Sequence, residues 1–192
     1  MKKEKLFNLP NTLSAYRLMM FPFILTLAVQ GKEKLFAIFL CINLITDILD
    51  GFIARTWKLE TKFGAALDNL ADVFTYALAV TGLFIFKWYE IHDFAWLLFA
   101  FLAVFVLSYV VAFARFGKIP GMHLYSCVIS GYLQGAFFFL LFAWRFVLPL
   151  FIFSIGLGLL AYMEKTCILF IIREIRPRLK GLYWIIKNDS KK

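Results

Sequence analysis

Asp47-Ile48-Leu49-Asp50-Gly51-Phe52-Ile53-Ala54-Arg55 is followed, after a short connector, by Gly64-Ala65-Ala66-Leu67-Asp68-Asn69-Leu70-Ala71-Asp72. This stretch decides how the rest of the chain is read. Its two halves lie in apolar runs at about residues 35–53 and 64–86, whose charged residues are these aspartates. Each run is long enough to cross ~30 Å of hydrocarbon as a helix. An aspartate at mid-depth in such a span costs about 2.5–3.5 kcal/mol, and less toward the interface. Four of them therefore mark a function rather than packing. Asp47 and Asp50 are i, i+3, and Asp68 and Asp72 are i, i+4, so each pair lies on one face of its helix. A connector at about residues 56–63 brings both pairs to the same end of a helical hairpin.

The rest of the chain agrees with a membrane setting. Of its 192 residues, 62% are hydrophobic and 17% charged, and 24 are Phe. A disordered chain is excluded by the apolar content, and a soluble globule of this size cannot hide so much apolar surface. Four more runs, at about 14–29, 94–114, 124–144 and 146–172, complete six spans. None shows the alternation of a transmembrane strand. The fold class expected is all-α: a polytopic bundle of six transmembrane helices forming one domain over residues 1–192. Residues 1–13 form an interfacial segment in this reading, and 173–192 a basic tail anchored to anionic headgroups.

Topology follows from the cations. With the N-terminus inside, sixteen of the 21 Lys and Arg fall on the inner side, four on the outer side, and Lys165 within a span. This asymmetry places both termini in the cytoplasm. It also accounts for the net charge of +9 without a nucleic-acid partner. Cys41, Cys127 and Cys167 lie in apolar runs without ligand spacing and read as buried packing residues rather than a disulfide or metal site. The N-terminus carries no cleavable-signal pattern. Adjacent Glu164 and Lys165 read as an interhelical ion pair or cavity lining.

Four convergent carboxylates need compensating cations. Arg55 is the nearest in sequence, and salt bridges to Arg55, Lys58 and Lys62 at the membrane edge are one resolution. The other is bound metal. The donors are all oxygen, which suits Mg²⁺ or Mn²⁺ rather than Zn²⁺. Two such ions form a clamp for phosphoryl transfer. A divalent-metal transporter would also use intramembrane acids, but it places them near the midplane of repeated halves. Here they sit at one end, beside an Arg, with no repeat.

The spacing Asp-x2-Asp-Gly-x2-Ala-Arg-x8-Gly-x3-Asp-x3-Asp resembles, at all eight fixed positions, the signature of the CDP-alcohol phosphotransferase family. A chance match is on the order of one in ten billion per register at ~5% abundance per residue. Pro10-Asn11-Thr12-Leu13 followed by Arg17 is similar to the family's N-terminal stretch near the nucleotide. The resemblance implies transfer of a phosphatidyl group from CDP-diacylglycerol to a small polar alcohol, with release of CMP, at the cytoplasmic leaflet of a bacterial membrane. It implies that Asp47, Asp50, Asp68 and Asp72 ligate two Mg²⁺ or Mn²⁺ ions and that Asp72 is the general base. Asn11, Asp50, Gly51, Ala54, Arg55 and Thr61 would hold the CDP moiety, and Gly64 would let the third helix start close to the second. Arg115 and Lys118, in the cytoplasmic loop with His123, are candidates for an acceptor phosphate. Glycerol 3-phosphate is the leading acceptor, with inositol, inositol phosphate and serine as alternatives. Asn69 stands where glycerophosphate enzymes commonly have Pro. A homodimer is implied by the family alone.

Overall fold

A computed structural model describes residues 8–57, 59, 61–117, 123–172, 178, 179, 181 and 182. It is helical. The long helices are α1 (Leu9–Val29), α2 (Glu33–Thr56), α3 (Lys62–Phe86), α5 (Ala95–Phe116), α6 (Tyr125–Ala143) and α7 (Leu148–Ile171). One short turn, α4 (Trp88–Ile91), and a 3₁₀ turn (His92–Phe94) lead directly into α5. Six helical segments are long and apolar enough to cross a membrane, as expected from the apolar runs. The protein is an integral membrane helix bundle. Large apolar side chains stand exposed along every long helix, Met19, Phe52, Val110 and Leu160 among them. Water would not tolerate that surface, and lipid covers it. A two-residue parallel bridge pairs His123–Leu124 with Arg178–Leu179.

The helix ends follow local chemistry. α1 starts earlier than hydropathy indicates because Asn8 caps it, its side chain accepting from the Asn11 N–H at 2.9 Å, and Pro10 fits the first turn. Arg17 consequently lies two turns inside a continuous helix and is buried, not at its interfacial start. The turn from α1 to α2 is a Schellman motif: the Lys32 N–H reaches the Leu27 carbonyl, the Gly31 N–H reaches Ala28, and Gly31 takes φ +69°. Thr61 caps α3 by accepting from the Gly64 N–H at 2.9 Å.

The chain forms two compact units. The first comprises residues 1–90 and 141–145. In it α1 packs on both α2 and α3, through Ile24, Leu27 and Ala28 of α1, Phe36 and Leu40 of α2, and Leu78, Ala79 and Leu83 of α3. Gly82 makes room for aromatic rings: a Cβ there would lie 2.2 Å from the buried Phe36 ring and 2.9 Å from Phe142. Lys87, outside the spans, pairs with Glu33 at 3.0 Å and Glu90 at 3.4 Å. Partial burial works against its charge, but Glu33 and Glu90 outweigh that and hold its pKa above the ordinary lysine value.

The second unit comprises residues 91–140 and 146–192. α5 packs on α7, and Phe101, Phe105, Tyr109 and Tyr162 form a chain of ring contacts between them. Gly158 faces Gln134 and Phe101, where a Cβ would meet Gln134 Nε2 at 2.1 Å. Glu164 and Lys165 do not pair with each other. Glu164 accepts from Ser126 Oγ at 2.6 Å and from the Leu182 N–H at 2.8 Å. Buried Lys165 lies over the rings of Tyr109 and Tyr162. The cysteines are free, but Cys41 and Cys127 are only half-buried and Cys167 is exposed on α7, so none is the fully buried packing residue expected.

These contacts separate two kinds of glycine. Gly82→Ala overpacks Phe36 and should lower stability by about 1–3 kcal/mol. Gly131→Ala, which meets nothing within 4 Å, should leave stability unchanged or slightly raised. Thermal unfolding in detergent checks this; equal melting of both variants would contradict the packing described.

Candidate metal centre

The centre is built in the first unit by three helices that share one end. With a rise of about 1.5 Å per residue, Asp50 and Asp68 lie about 9 Å inside the ends of α2 and α3. Arg17 lies about 12 Å inside α1, and Asp47 and Asp72 about 14–15 Å inside theirs. The carboxylates therefore form two layers, a shallow pair of Asp50 with Asp68 and a deep pair of Asp47 with Asp72. Each layer takes one member from α2 and one from α3.

Arg17 joins the layers. Its Nη1 donates to Asp47 Oδ1 and, at 2.9 Å, to Asp72 Oδ1. Its Nη2 donates to Asp50 Oδ2 at 3.0 Å and to Asp68 Oδ1 at 2.6 Å. One guanidinium nitrogen thus serves each layer, bridging α2 to α3 both times. The Arg17 side chain is 0% exposed. Asp50 is 3% exposed, while Asp47, Asp68 and Asp72 are open at 38%, 41% and 49%. Ser14, one turn before Arg17, donates to Asp50 Oδ2 at 3.1 Å. The cluster is closed on the α1 side and open on the other.

This changes the expected charge balance. Arg55, expected to neutralise one aspartate, is exposed and pairs with none of them among the described residues. Arg17 takes that role. The sequence placed it among the inner-side cations and in the stretch similar to the family's N-terminal segment, not as the partner of the aspartates. The available signal was a lone Arg inside an apolar run, three residues after a Ser, facing a count of four acids. Arg55 folds back along its own helix over Gly51, where a Cβ would come within 3.3 Å of its Nη1. Gly51 thus clears space for the Arg55 guanidinium.

A second group gathers where α1 and α3 begin. A Cβ on Gly64 would lie 2.3 Å from Asn11 Oδ1 and 2.8 Å from Thr61 Oγ1, so a larger residue there displaces those side chains. Asn8 Nδ2 adds a bond to the Leu59 carbonyl at 3.3 Å. Asn11 and Thr61, fifty residues apart, are thereby brought together beside Gly64. Ala54 is half-buried on α2. Arg115 belongs to the second unit, where its Nη1 caps α7 by donating to the carbonyls of Leu169, at 2.8 Å, and Phe170. Lys118 lies outside the described residues, as do residues 1–7 and most of the basic tail.

The donor set fits a hard divalent cation. Asp47, Asp50 and Asp68 each offer a carboxylate oxygen, all within 4.8 Å of one another. Ligands at ~2.1 Å from one octahedral ion stand about 3.0 Å apart when cis and about 4.2 Å when trans, so the three oxygens draw closer together to share one ion. Arg17 contacts one oxygen of each aspartate, and every carboxylate has a second.

Comparison with known proteins gives the same reading. The CDP-alcohol phosphatidyltransferase domain matches residues 7–161. A CDP-diacylglycerol–glycerol-3-phosphate 3-phosphatidyltransferase of Salmonella choleraesuis (strain SC-B67) is 39% identical over 77 residues, 38% of this chain and 42% of that protein. Proteins of the same name from Escherichia coli (strain K12) and Shigella flexneri serotype 5b (strain 8401) are 38% identical over the same shares. The match thus spans less than half the length of these relatives. No solved structure matches the chain. The eight-position motif, its convergence on one end of a helical hairpin and a domain match over most of the length agree: this chain belongs to the CDP-alcohol phosphatidyltransferase family.

Proposed function

We propose that the protein transfers a phosphatidyl group from CDP-diacylglycerol to a small polar alcohol, glycerol 3-phosphate first, with release of CMP. The observation that carries this reading is the convergence of Asp47, Asp50, Asp68 and Asp72 into one open cluster within the family motif. The leading acceptor is taken from relatives named for glycerol 3-phosphate. Serine, inositol and inositol phosphate are the alternatives.

Asp47, Asp50, Asp68 and Asp72 would hold Mg²⁺ or Mn²⁺, two ions per site. Bound there, the ions supply charge for the diphosphate and the departing CMP. The chain's own residues do the rest. Asp72 is the most open of the four aspartates, and Arg17 holds one of its oxygens in place. It takes the proton of the acceptor hydroxyl. The acceptor oxygen bonds to the phosphorus bearing the diacylglycerol. The bond from that phosphorus to the bridging oxygen breaks, and CMP leaves with the electron pair. Arg55, exposed beside the cluster, offers a fork of donors to the diphosphate. Asn11, Gly51, Ala54 and Thr61 line the path of the nucleotide. Arg115, in the last turn of α5, and Lys118, two residues beyond that helix in sequence, are assigned to the acceptor phosphate as basic residues between the fourth and fifth spans. In Arg115 the α7 cap engages one nitrogen and the guanidinium has two others. The site faces the cytoplasm, and the enzyme is a homodimer by family resemblance.

Purified protein with Mg²⁺ or Mn²⁺ should release CMP from CDP-diacylglycerol when glycerol 3-phosphate is added, and chelation should abolish release reversibly. Silence with every acceptor named, together with metal flux into liposomes, would overturn the reading in favour of transport. Asp72→Asn should lower kcat by about 10²- to 10⁴-fold while nucleotide binding persists. Near-normal kcat would remove Asp72 from the base role. Arg55→Gln should raise KM for CDP-diacylglycerol at least as strongly as it lowers kcat; an unchanged KM would remove Arg55 from the diphosphate.

A further inference from the structure

Two contacts fix the register of α2 on α3. The Phe36 ring packs against Gly82, where a Cβ would lie 2.2 Å from it. Toward the other end of the pair, Arg17 Nη1 bridges Asp47 to Asp72. Between these points, steps of three and four residues along each helix bring Asn43 of α2 opposite Thr75 of α3. Asn43 is i, i+4 with Asp47, and Thr75 is i, i+3 with Asp72, so both lie on the carboxylate-bearing faces. With a rise of about 1.5 Å per residue, both lie about 20 Å inside the helix ends that carry the site, one layer deeper than Asp47 and Asp72. Leu40 and Leu78, each 0% exposed, close the seam beyond them.

Asn43 is 0% exposed and Thr75 5%. Neither amide atom of Asn43 nor the hydroxyl of Thr75 bonds to a protein group. Thr75 departs from other helical threonines of the chain: Thr26, Thr81 and Thr166 each turn the hydroxyl back on the carbonyl one turn earlier, at 2.8 Å. An amide and a hydroxyl kept at such depth without a partner are strongly disfavoured, and an apolar residue of equal size would pack there without that cost. Both residues lie outside the eight-position motif.

We propose that Asn43 and Thr75 are positioning residues that hold a buried water between them, and that this water fixes the free oxygens of Asp47 and Asp72 from below. The proposal rests on the phosphatidyl-transfer reading and adds a third, neutral layer to its site. Water suits a closed polar seam. It accepts from the Asn43 Nδ2 and donates to Oδ1 or to the Thr75 hydroxyl. A buried water takes two to four polar partners, and the amide, the hydroxyl and a carboxylate oxygen supply them. Cα–Cβ bonds tilt toward the start of their own helix, so in this antiparallel pair Thr75 leans toward Asp72 and Asn43 leans away from Asp47. This offset separates the amide from the hydroxyl along the seam, and a water spans it. Arg17 holds one oxygen of each deep carboxylate, so the other oxygen is oriented by what lies beneath.

The test is a map of the full chain in nanodiscs at a resolution that shows ordered water, with CMP release from CDP-diacylglycerol and glycerol 3-phosphate measured on the same protein. The wild type should show a water between Asn43 and Thr75, within hydrogen-bond reach of Asp47 or Asp72, and Thr75→Val should lose it. Thr75→Val and Asn43→Leu should each lower kcat by about 10- to 100-fold while KM for CDP-diacylglycerol changes by less than about twofold. Thr75→Ser, which keeps the hydroxyl, should recover most of the rate lost in Thr75→Val. Polar groups that are merely packed and unbonded predict the reverse: raised melting temperatures in Thr75→Val and Asn43→Leu, with kcat untouched. That result would overturn the proposal, as would a map in which Asn43 bonds directly to Thr75 with no water between them. A wild type that shows the water but releases no CMP with any acceptor would overturn the transfer reading and leave the water layer standing. Should Asn43→Leu fail to fold, the wild-type map and the Thr75→Val and Thr75→Ser pair still decide.

Discussion

The first unit depends on one buried guanidinium. Arg17 is the point at which α1, α2 and α3 meet chemically, and each of its terminal nitrogens bridges a carboxylate of α2 to one of α3. Taking five charged groups out of water carries a penalty of several kcal/mol per ion. The arrangement is tolerable because opposite charges sit at hydrogen-bond distance and three of the four carboxylates remain open to one side. Removing one partner from such a set typically costs 3–5 kcal/mol, because it strands the others. Specific contacts then fix the backbone around it. Asn8 and Thr61 cap the two helices that enter the site, and Gly64 brings their starts into contact. The functional groups thus sit on rigid helices rather than on loops, which favours a reaction that needs position more than motion.

Lipid imposes the other constraint. Backbone groups cannot be left unpaired in hydrocarbon, so the chain crosses as helices, and most of each helix surface is apolar and unburied by protein. Close packing between helices is confined to places where small residues admit rings or amides. Gly82 admits Phe36 and Phe142 in the first unit, and Gly158 admits Phe101 and Gln134 in the second. Polar groups in the second unit are tied down internally. Ser126 and the Leu182 N–H hold Glu164, and aromatic faces hold Lys165.

What could be read in advance follows from the range of each interaction. The six spans were legible because each is a long apolar run with few or no charges, and the lipid requirement acts along its whole length. Their ends moved where caps intervened, as at Asn8, and the short turns before α5 left no trace in hydropathy. The pairing of the aspartates was legible because i, i+3 and i, i+4 spacing and a short connector are local facts. The partner of those aspartates was not. Arg17 reaches them across 30 to 55 positions, so proximity in sequence favoured Arg55. Gly51 also admits the guanidinium of Arg55 from its own helix, a contact that the motif spacing does not reveal. Arg115 was read as a loop cation, but it lies in the last turn of α5, and its capping of α7 depends on a helix more than fifty residues away. Burial of the cysteines was misjudged because an apolar run in a membrane has a lipid face as well as a protein face, and Cys167 lies on the former.

The central claim is that Arg17 and the four aspartates form one unit that takes up divalent metal without coming apart. The most direct measurement is a structure of the protein in lipid with Mn²⁺, with the ion located by its anomalous scattering. The account predicts a peak among Asp47, Asp50 and Asp68, with the Arg17 guanidinium still bridging α2 to α3. Manganese bound elsewhere, or Arg17 expelled from all four carboxylates when the ion is present, would contradict it.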